Sequence, residues 1–207
     1  MTLFFSLDGL DGVGKSTQME LLRDWLQSQG FDVVTCRDPG STQVGEATRA
    51  ILLERNEWDI DRTSEMFLYM AARSQLVAEV IRPALADGKL VLSDRFLLAN
   101  VVYQGHAGGL SVDDLWETGR IATGGLMPTR TIVMDMEVAD AMARIGGEQD
   151  RMESQGTQFF QRVRDGFLFE ADRRDDVTVV DANRSIEDLH LAIVHELQKE
   201  LAGKVQP

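Results

Sequence analysis

The segment "DGLDGVGKSTQ", residues 8–18, decides the fold because it joins a short apolar run to a helical pattern through a glycine-rich loop. Gly9, Gly14, Lys15 and Ser16 fit the spacing G-x-x-x-x-G-K-[ST]. Glycines let the backbone curl so that successive N–H groups point at phosphate oxygens, and the following helix adds its positive end. The segment therefore predicts a loop that holds the phosphates of a nucleoside triphosphate.

The motif also assigns roles inside the loop. We expect Lys15 to contact the β- and γ-phosphates and the Ser16 hydroxyl to be a ligand of Mg²⁺. The residues predicted to bind the triphosphate are Gly9, Asp11, Gly12, Val13, Gly14, Lys15, Ser16 and Thr17.

Strand-like and helical patterns alternate along the chain. The predicted strands cover residues 3–7, 31–36, 89–94, 129–135 and 177–182. The predicted helices cover 15–30, 43–55, 64–87 with a bend near Pro83, 97–105, 111–124 and 185–202. Five short apolar strands separated by helices indicate an α/β fold, a five-stranded parallel sheet with helices on both faces. Residues 1–207 are predicted to form one domain.

Composition narrows the function classes. The 207 residues carry 21 Lys and Arg against 34 Asp and Glu, a formal net charge of −13. So acidic a chain disfavours nucleic acid as a partner. One cysteine, Cys36, and the lack of a 20-residue apolar run or a signal-peptide pattern predict a cytoplasmic protein that does not use a membrane.

Three classes of phosphate-loop protein compete. A GTPase switch would carry N-K-x-D to recognise guanine, but no lysine here follows an asparagine. An ATPase motor or a regulatory module is expected to have partner surfaces or further domains, for which 207 residues leave little room. A small kinase needs an arginine-rich acceptor site beside the loop, and this chain has candidate arginines.

Further motifs follow the loop in order. They are "RDPGSTQVGEATRAILL" (37–53), "YMAARSQLV" (69–77) and "SDRFLLANVVYQG" (93–105), with weaker "EQDRMES" (148–154) and "FFQRVRDGF" (159–167). With the phosphate loop, this combination resembles the thymidylate kinase family over nearly the whole chain. The resemblance implies phosphoryl transfer from ATP to dTMP, giving dTDP and ADP with Mg²⁺ as cofactor.

The resemblance implies roles at the acceptor phosphate. Arg95 would clamp that phosphate, and Asp94 would orient it or hold water bound to Mg²⁺, since a guanidinium fork suits a phosphate. Arg49 would bind the same phosphate. Asp38, in a turn where the family usually has Glu, would organise the site from behind, and Ser41 stands where a second glycine is common.

The base and sugar contacts are implied in the same way. Tyr69 would stack on thymine, and Arg73, one turn later on the same helix face, would donate to a pyrimidine carbonyl. Asn100 would accept from N3–H. Tyr103 would crowd the sugar C2′ and exclude a ribose hydroxyl, while Asp11 would face the 3′-hydroxyl or the metal.

The sequence departs from the family pattern at two places. Phe96 stands where the family most often has Tyr or His. The phosphate loop has no basic residue at its variable positions, and such members usually carry several lid arginines. Here the expected mobile lid, about residues 144–157, offers only Arg144 and Arg151. Both are predicted to act in catalysis.

Oligomeric state and alternatives complete the expectations. The apolar stretches "ILL" (51–53) and "MFLYMAA" (66–72) exceed what one sheet face needs, which together with the resemblance predicts a homodimer. The acceptor phosphate is already anionic at neutral pH, so no general base is needed. The alternatives are a kinase for another pyrimidine monophosphate, dUMP or a modified deoxyuridylate, and a deoxynucleoside kinase with Asp8 as its base. A non-catalytic ATP-binding partner protein is more remote.

Overall fold

A computed structural model describes residues 3–54, 59–145 and 156–202. Its centre is a parallel sheet of five strands in the spatial order β2-β3-β1-β4-β5. The strands are β1 (Phe4–Gly9), β2 (Val33–Arg37), β3 (Leu90–Asp94), β4 (Arg130–Asp135) and β5 (Val177–Asp181). The predicted α/β fold class is confirmed.

Helices connect the strands. They are α1 (Lys15–Ser28), α2 (Gln43–Leu53), α3 (Arg62–Leu76), α4 (Arg82–Ala86), α5 (Leu97–Asn100), α6 (Val112–Thr123), α7 (Val138–Arg144), α8 (Thr157–Asp172) and α9 (Ile186–Leu201), with π-helical segments at Val77–Ile81 and Val101–Ala107. In the described part of the chain, none of them has the length and apolar character needed to cross a bilayer.

The strand register brings two predicted segments together. β1 lies between β3 and β4, with Leu7 opposite Asp94 and Gly9 opposite Met134. The carboxyl ends of parallel strands meet at one edge of the sheet, where ligands bind in open α/β folds. The phosphate loop after β1 and the Asp94–Arg95 pair after β3 are therefore neighbours.

Apolar side chains cover both faces of the sheet. In β1, Phe4 packs into a cluster with residues of α3, α4 and α6, whereas Phe5 and Leu7 join a cluster with α1, α8 and α9. Val91 and Leu92 of β3 alternate in the same way. This period of two, with both clusters buried, is the arrangement of a parallel sheet between two helical layers.

Two predicted helices contain π-helical turns. The run predicted over 64–87 is helical from α3 through α4, but Arg82 N–H donates to Val77 O five residues back, immediately before Pro83. Proline has no N–H to donate to the carbonyl four residues before it. The hydrogen bond of the preceding residue therefore reaches back five residues instead of four. The helix predicted over 97–105 is α-helical only to Asn100.

Two helices were missed by the sequence analysis. These are α7 and α8, which lie on either side of the predicted lid. α8 buries Phe159, Phe160, Val163 and Phe167 at helical spacing, so the periodic signal was present. The lid itself falls almost wholly in 146–155, outside the described residues.

Candidate functional site

The loop after β1 has the backbone shape that phosphate binding requires. Gly9 has φ +132°, and a Cβ there would lie 2.5 Å from the Met134 carbonyl oxygen of β4. Gly14 has φ +96° and stands directly before the first residue of α1, Lys15. Glycine alone fits both positions, and the turn at Gly14 aims the N-terminal N–H groups of α1 into the loop.

Lys15 is buried beneath the loop that it would serve. Its Nζ donates to Leu10 O at 2.6 Å and Gly9 O at 3.3 Å, and it lies 3.5 Å from Asp11 Oδ1. Burial, together with the nearby positive charge of Arg95, lowers the pKa of Lys15, and neighbouring carboxylates oppose this. The ammonium is thus fixed at the loop, with Asp11 as its ion-pair partner.

A cavity of about 900 Å³, here called the phosphate cavity, opens at this loop. Most of the predicted triphosphate residues line it, but Val13 is buried in the core and Gly9 contributes its carbonyl oxygen to Lys15 and Arg95. The cavity is lined by Asp11, Gly12, Gly14, Lys15, Ser16, Thr17, Arg37, Asp38, Arg49, Asp94 and Arg95.

Arg95 joins the strand end to the loop. Its Nη1 donates to Gly9 O at 2.8 Å and its Nη2 to Asp11 Oδ1 at 2.6 Å. Its guanidinium carbon lies 5.1 Å from the centre of the Tyr103 ring. Although burial works against the charged form, the carboxylate of Asp11 raises the pKa of Arg95, so this side chain is a permanent cation.

Three carboxylates surround these cations. Burial opposes ionisation of Asp11, but the charges of Arg95 and Lys15 prevail and hold its pKa well below the usual range. Asp94 lines the phosphate cavity, and its Oδ1 is buried with no hydrogen-bond partner among the described residues. Asp8 is fully buried, and burial raises its pKa to about 6 despite the opposing charge of Arg95.

These residues fit a Mg²⁺ ion of the kind that sits beside a phosphate loop. Mg²⁺ takes oxygen ligands, usually one or two carboxylates with substrate phosphates and water. The unpartnered oxygen of Asp94 and the hydroxyl of Ser16 at the start of α1 supply such ligands on the wall of one cavity. Across residues 3–54, 59–145 and 156–202 there is no group of three or more His, Cys, Asp or Glu arranged so that it could hold a metal ion by itself.

A second cavity of about 540 Å³, here called the acceptor cavity, adjoins the first. It contains every residue predicted to bind the acceptor: Asp11, Asp38, Arg49, Tyr69, Arg73, Arg95, Asn100 and Tyr103. Pro39, Leu53, Phe96, Ala99 and Gln104 complete its wall. Asp11, Asp38, Arg49 and Arg95 line both cavities.

A buried ion pair stands at the back of the acceptor cavity. Arg73 Nε donates to Asp38 Oδ2 at 2.5 Å, and both side chains are almost completely shielded from solvent. Burial raises the pKa of Asp38, while Arg73 and Arg49 act in the opposite direction. Arg49 in turn donates to Pro39 O at 3.1 Å. Asp38 therefore fixes the guanidinium of Arg73, which agrees with an organising role.

Two residues that the sequence analysis gave no role extend this pair. Arg73 Nη1 donates to Asn100 Oδ1 at 3.2 Å, and Asn100 Nδ2 donates to Gln104 Oε1. Gln104 Nε2 then donates to Glu65 Oε1 at 2.7 Å. Glu65, Tyr69 and Arg73 follow one another at intervals of four on α3, a spacing that could have revealed Glu65.

Aromatic rings form the rest of the acceptor cavity. Tyr103 is 8% exposed and makes edge contacts with Phe159 and Phe167 of α8, each at 6.2 Å between ring centres. Phe96, which stands where the family most often has Tyr or His, packs edge-on against Phe4 at 4.9 Å between ring centres. The missed helix α8 thus holds Tyr103 in its position beside Arg95.

The arginines around the phosphate cavity differ in how they are held. Arg37, to which the sequence analysis gave no role, lines the cavity and donates from Nη2 to Glu46 Oε2 at 2.7 Å. Ser41 N donates to the other oxygen of Glu46 at 2.7 Å, and Ser41 keeps φ +61° where the family often has glycine. Arg144 is exposed at the end of α7 and lines neither cavity, and Arg151 lies outside the described residues.

Comparison with known proteins identifies the family of this chain. A family model described as thymidylate kinase matches residues 7–193. The thymidylate kinase of Rhodopirellula baltica is 46% identical over 185 residues, covering 89% of this chain and 75% of its own. That of Kosmotoga olearia is 42% identical over 198 residues, 94% of each chain. The crystal structure of thymidylate kinase from Ehrlichia chaffeensis superposes with a TM-score of 0.79 at 27% identity, covering 95% of this chain and 98% of that one. The chain belongs to the thymidylate kinase family.

Proposed function

We propose that this protein transfers the γ-phosphoryl group of ATP to dTMP, giving dTDP and ADP. Its relatives carry the name thymidylate kinase at 42–46% identity over most of the chain. We further propose that it works in the cytoplasm on these two nucleotides, without nucleic acid or membrane, in agreement with its net charge of −13.

One observation carries the proposal: the phosphate cavity and the acceptor cavity share four residues, Asp11, Asp38, Arg49 and Arg95. A donor phosphate held at Lys15 and an acceptor phosphate held at Arg95 would meet at this boundary. A GTPase or a regulatory ATP-binding module needs no second cavity lined by aromatic and amide side chains at that point. Phosphoryl transfer between two nucleotides needs both cavities, placed so that the attacking and leaving oxygens can lie in line with the transferred phosphoryl group.

Catalysis would come from positioning and from neutralising charge. The acceptor is a phosphate monoester with a second pKa of about 6, so it is already a nucleophilic oxyanion at neutral pH. Lys15 would contact the transferring group, Arg95 and Arg49 would fix the acceptor, and Arg144 and Arg151 would close over the donor. With Asp11 as its partner, Arg95 stays charged and oriented before any substrate arrives.

Mg²⁺ belongs to the same proposal. Ser16 and Asp94 would hold it, the former directly and the latter directly or through water. When bound, it would neutralise charge on the β- and γ-phosphates. Asp11 would accept from the sugar 3′-hydroxyl, because its low pKa keeps it an acceptor.

The acceptor cavity would select thymine with 2′-deoxyribose. Tyr69 would stack on the base, Arg73 would donate to a carbonyl oxygen, and Asn100 would accept from N3–H. Cytosine fails at both polar contacts, and unpaired buried polar groups cost about 1–3 kcal/mol each, so about 10²–10⁴-fold discrimination in kcat/KM follows. The buried ring of Tyr103 leaves little room for a ribose hydroxyl.

The test is kcat/KM for dTMP, dUMP, dCMP, dGMP and UMP with ATP and Mg²⁺ under one set of conditions. We expect dTMP first and dUMP second, because dUMP lacks only the methyl group, worth about 1–3 kcal/mol in a fitted pocket. Equal rates for dCMP or dGMP would refute the base assignments. Absence of transfer to every nucleotide would refute the kinase assignment.

We also propose a homodimer formed through α2 and α3. These helices pack against each other and expose apolar side chains outward: Val44 at 47%, Ile51 at 43% and Phe67 at 57%. Val44 and Ile51 are seven residues apart, so they lie on the same face of α2. An exposed apolar face of this kind is typical of an interface between copies of a chain.

A further inference from the structure

Four buried polar groups at the wall of the acceptor cavity form a directed chain of hydrogen bonds, here called the amide relay. It consists of Arg73, Asn100, Gln104 and Glu65, each at most 7% exposed. The bonds run from Arg73 to Asn100 Oδ1, from Asn100 Nδ2 to Gln104 Oε1, and from Gln104 Nε2 to Glu65 Oε1. The relay passes from α3 to the segment 100–104 and back to α3.

The chemistry of the two ends determines the direction of the whole relay. A guanidinium has only donors, so Asn100 must turn its oxygen toward Arg73. A carboxylate has only acceptors, so Gln104 must turn its amide nitrogen toward Glu65. The two amides in between then fit together in one orientation only, because any flip would place donor against donor or acceptor against acceptor.

The orientation of Asn100 matters for the base, since this amide lines the acceptor cavity. An oxygen held beside Arg73 keeps its second lone pair for a donor such as N3–H of thymine. The Arg73 bond restrains only one side of the amide. Without an acceptor for Nδ2 on the other side, rotation of the amide costs the Arg73 bond alone and not two bonds, so the side chain offers its NH₂ group more readily to the unprotonated N3 of cytosine.

We propose that Glu65, acting through Gln104, is a positioning residue that determines base selectivity by locking the amide of Asn100. The proposal rests on the proposed function and deepens it at the base contact. Glu65 touches neither the base nor the phosphates. Its part is to accept from Gln104 and thereby make Gln104 an acceptor for Asn100.

The decisive experiment exchanges the two end groups. Gln104→Glu places two carboxylates against each other in a buried site, so the relay is broken. Adding Glu65→Gln restores it, since the new Gln can donate to the new Glu while that Glu still accepts from Asn100. We expect Gln104→Glu to lower kcat/KM for dTMP by roughly 10–100-fold, mainly through KM, and the double variant to recover most of this loss.

Selectivity separates positioning from simple support of the fold. The ratio of kcat/KM for dTMP to that for dCMP should fall at least ~10-fold in Gln104→Glu and return in the double variant. Gln104→Met, which keeps the size of the side chain but removes the acceptor, should lower the ratio likewise if the charged variant does not fold. A ratio unchanged in folded Gln104→Met, or a double variant no better than Gln104→Glu, would overturn the proposal.

The chain offers a matched control. Gln75, near the end of α3, donates from Nε2 to Glu79 Oε1 in the π-helical segment that follows, so the same pair of groups forms an exposed hydrogen bond there. The same exchange there, Gln75→Glu with Glu79→Gln, should leave KM and selectivity unchanged. If the wild-type protein phosphorylates dTMP but the relay variants keep its selectivity, only the relay fails; if the wild-type protein phosphorylates no nucleotide, the proposed function fails.

Discussion

Replacing Asp8 by Asn should change how the stability of the protein depends on pH. Asp8 is fully buried on β1, its Oδ2 accepts from Ser6 Oγ at 2.9 Å, and its Oδ1 has no partner among the described residues. Burial raises its pKa from 3.8 to about 6, against the lowering effect of Arg95 and of the Ser6 hydroxyl. The folded protein therefore holds this proton more tightly than the unfolded chain does.

The sign and size follow from linkage. A raised folded-state pKa gives a contribution to stability that is complete below pH 3.8 and is lost as pH rises through about 6. A shift of about two pKa units corresponds to about 3 kcal/mol at neutral pH. For a protein of this size, that free energy is worth ~6–12 °C in Tm.

Urea unfolding of wild type and Asp8→Asn at several pH values between 4 and 8, without nucleotide or metal, measures this contribution. The free-energy difference between the two proteins should shift by about 2 kcal/mol in favour of the variant between pH 4 and pH 7, because the unfolded carboxyl is already partly ionised at pH 4. Ser6→Ala, which removes a group that lowers the pKa of Asp8, should extend the loss to higher pH. Parallel stability curves for wild type and Asp8→Asn would refute the argument.

The same variant tests the deoxynucleoside kinase alternative. Asp8 lines neither the phosphate cavity nor the acceptor cavity. Asp8→Asn should therefore not lower kcat by the ~10²–10⁴-fold that removal of a general base causes. Phosphorylation of deoxythymidine by the wild-type protein, reduced by that factor in Asp8→Asn, would instead support the alternative.

Three further predictions concern the loop, the buried pair and the dimer. Lys15→Ala should lower kcat at least ~10²-fold with the fold intact by circular dichroism, and turnover within tenfold of wild type would contradict it. Asp38→Ala leaves Arg73 as a buried charge without a counter-charge, so the free energy of unfolding should fall by ~3–5 kcal/mol. Asp38→Asn should have a smaller effect, and thermal unfolding measures both. Equal Tm values for wild type and Asp38→Ala would contradict this prediction. Phe67→Asp should convert a species of twice 23.1 kDa to monomer in sedimentation equilibrium at micromolar concentration, and a wild-type protein that sediments as a monomer would refute the dimer.

Local patterns were sufficient to predict the sheet and the loop. The five strands are short apolar runs that the sequence marks, whereas the pairing of β3 with β1, which brings Asp94 next to the phosphate loop, is seen only in the structure. Strand ends differ from the prediction by up to two residues, because hydrogen bonding with neighbouring strands, not the chain's own pattern, decides where pairing stops. The positive φ values of Gly9 and Gly14 could be expected from the sequence, because glycine is the residue that adopts them readily.

The amide relay could not be predicted so directly. Glu65 and Gln104 meet only because α3 packs beside the segment after α5, and this contact depends on tertiary packing across 39 residues of sequence. The helix α8 was missed although its buried apolar residues follow helical spacing, since the polar residues and glycines of the predicted lid precede it. Periodicity on each helix shows which residues share a face, but not which face of another helix they will meet.

Arg95 shows how the fold joins the two cavities. It is a non-glycine residue with φ +66°, a conformation that costs about 1–2 kcal/mol. Its N–H donates to Leu7 O at 2.9 Å and its carbonyl accepts from Ser93 Oγ at 2.6 Å, so strand pairing and a neighbouring hydroxyl hold the turn. In an ordinary strand conformation the side chain would point to one face of the sheet. The turned backbone instead brings the guanidinium to Gly9 O and Asp11, at the boundary where a donor and an acceptor phosphate would meet.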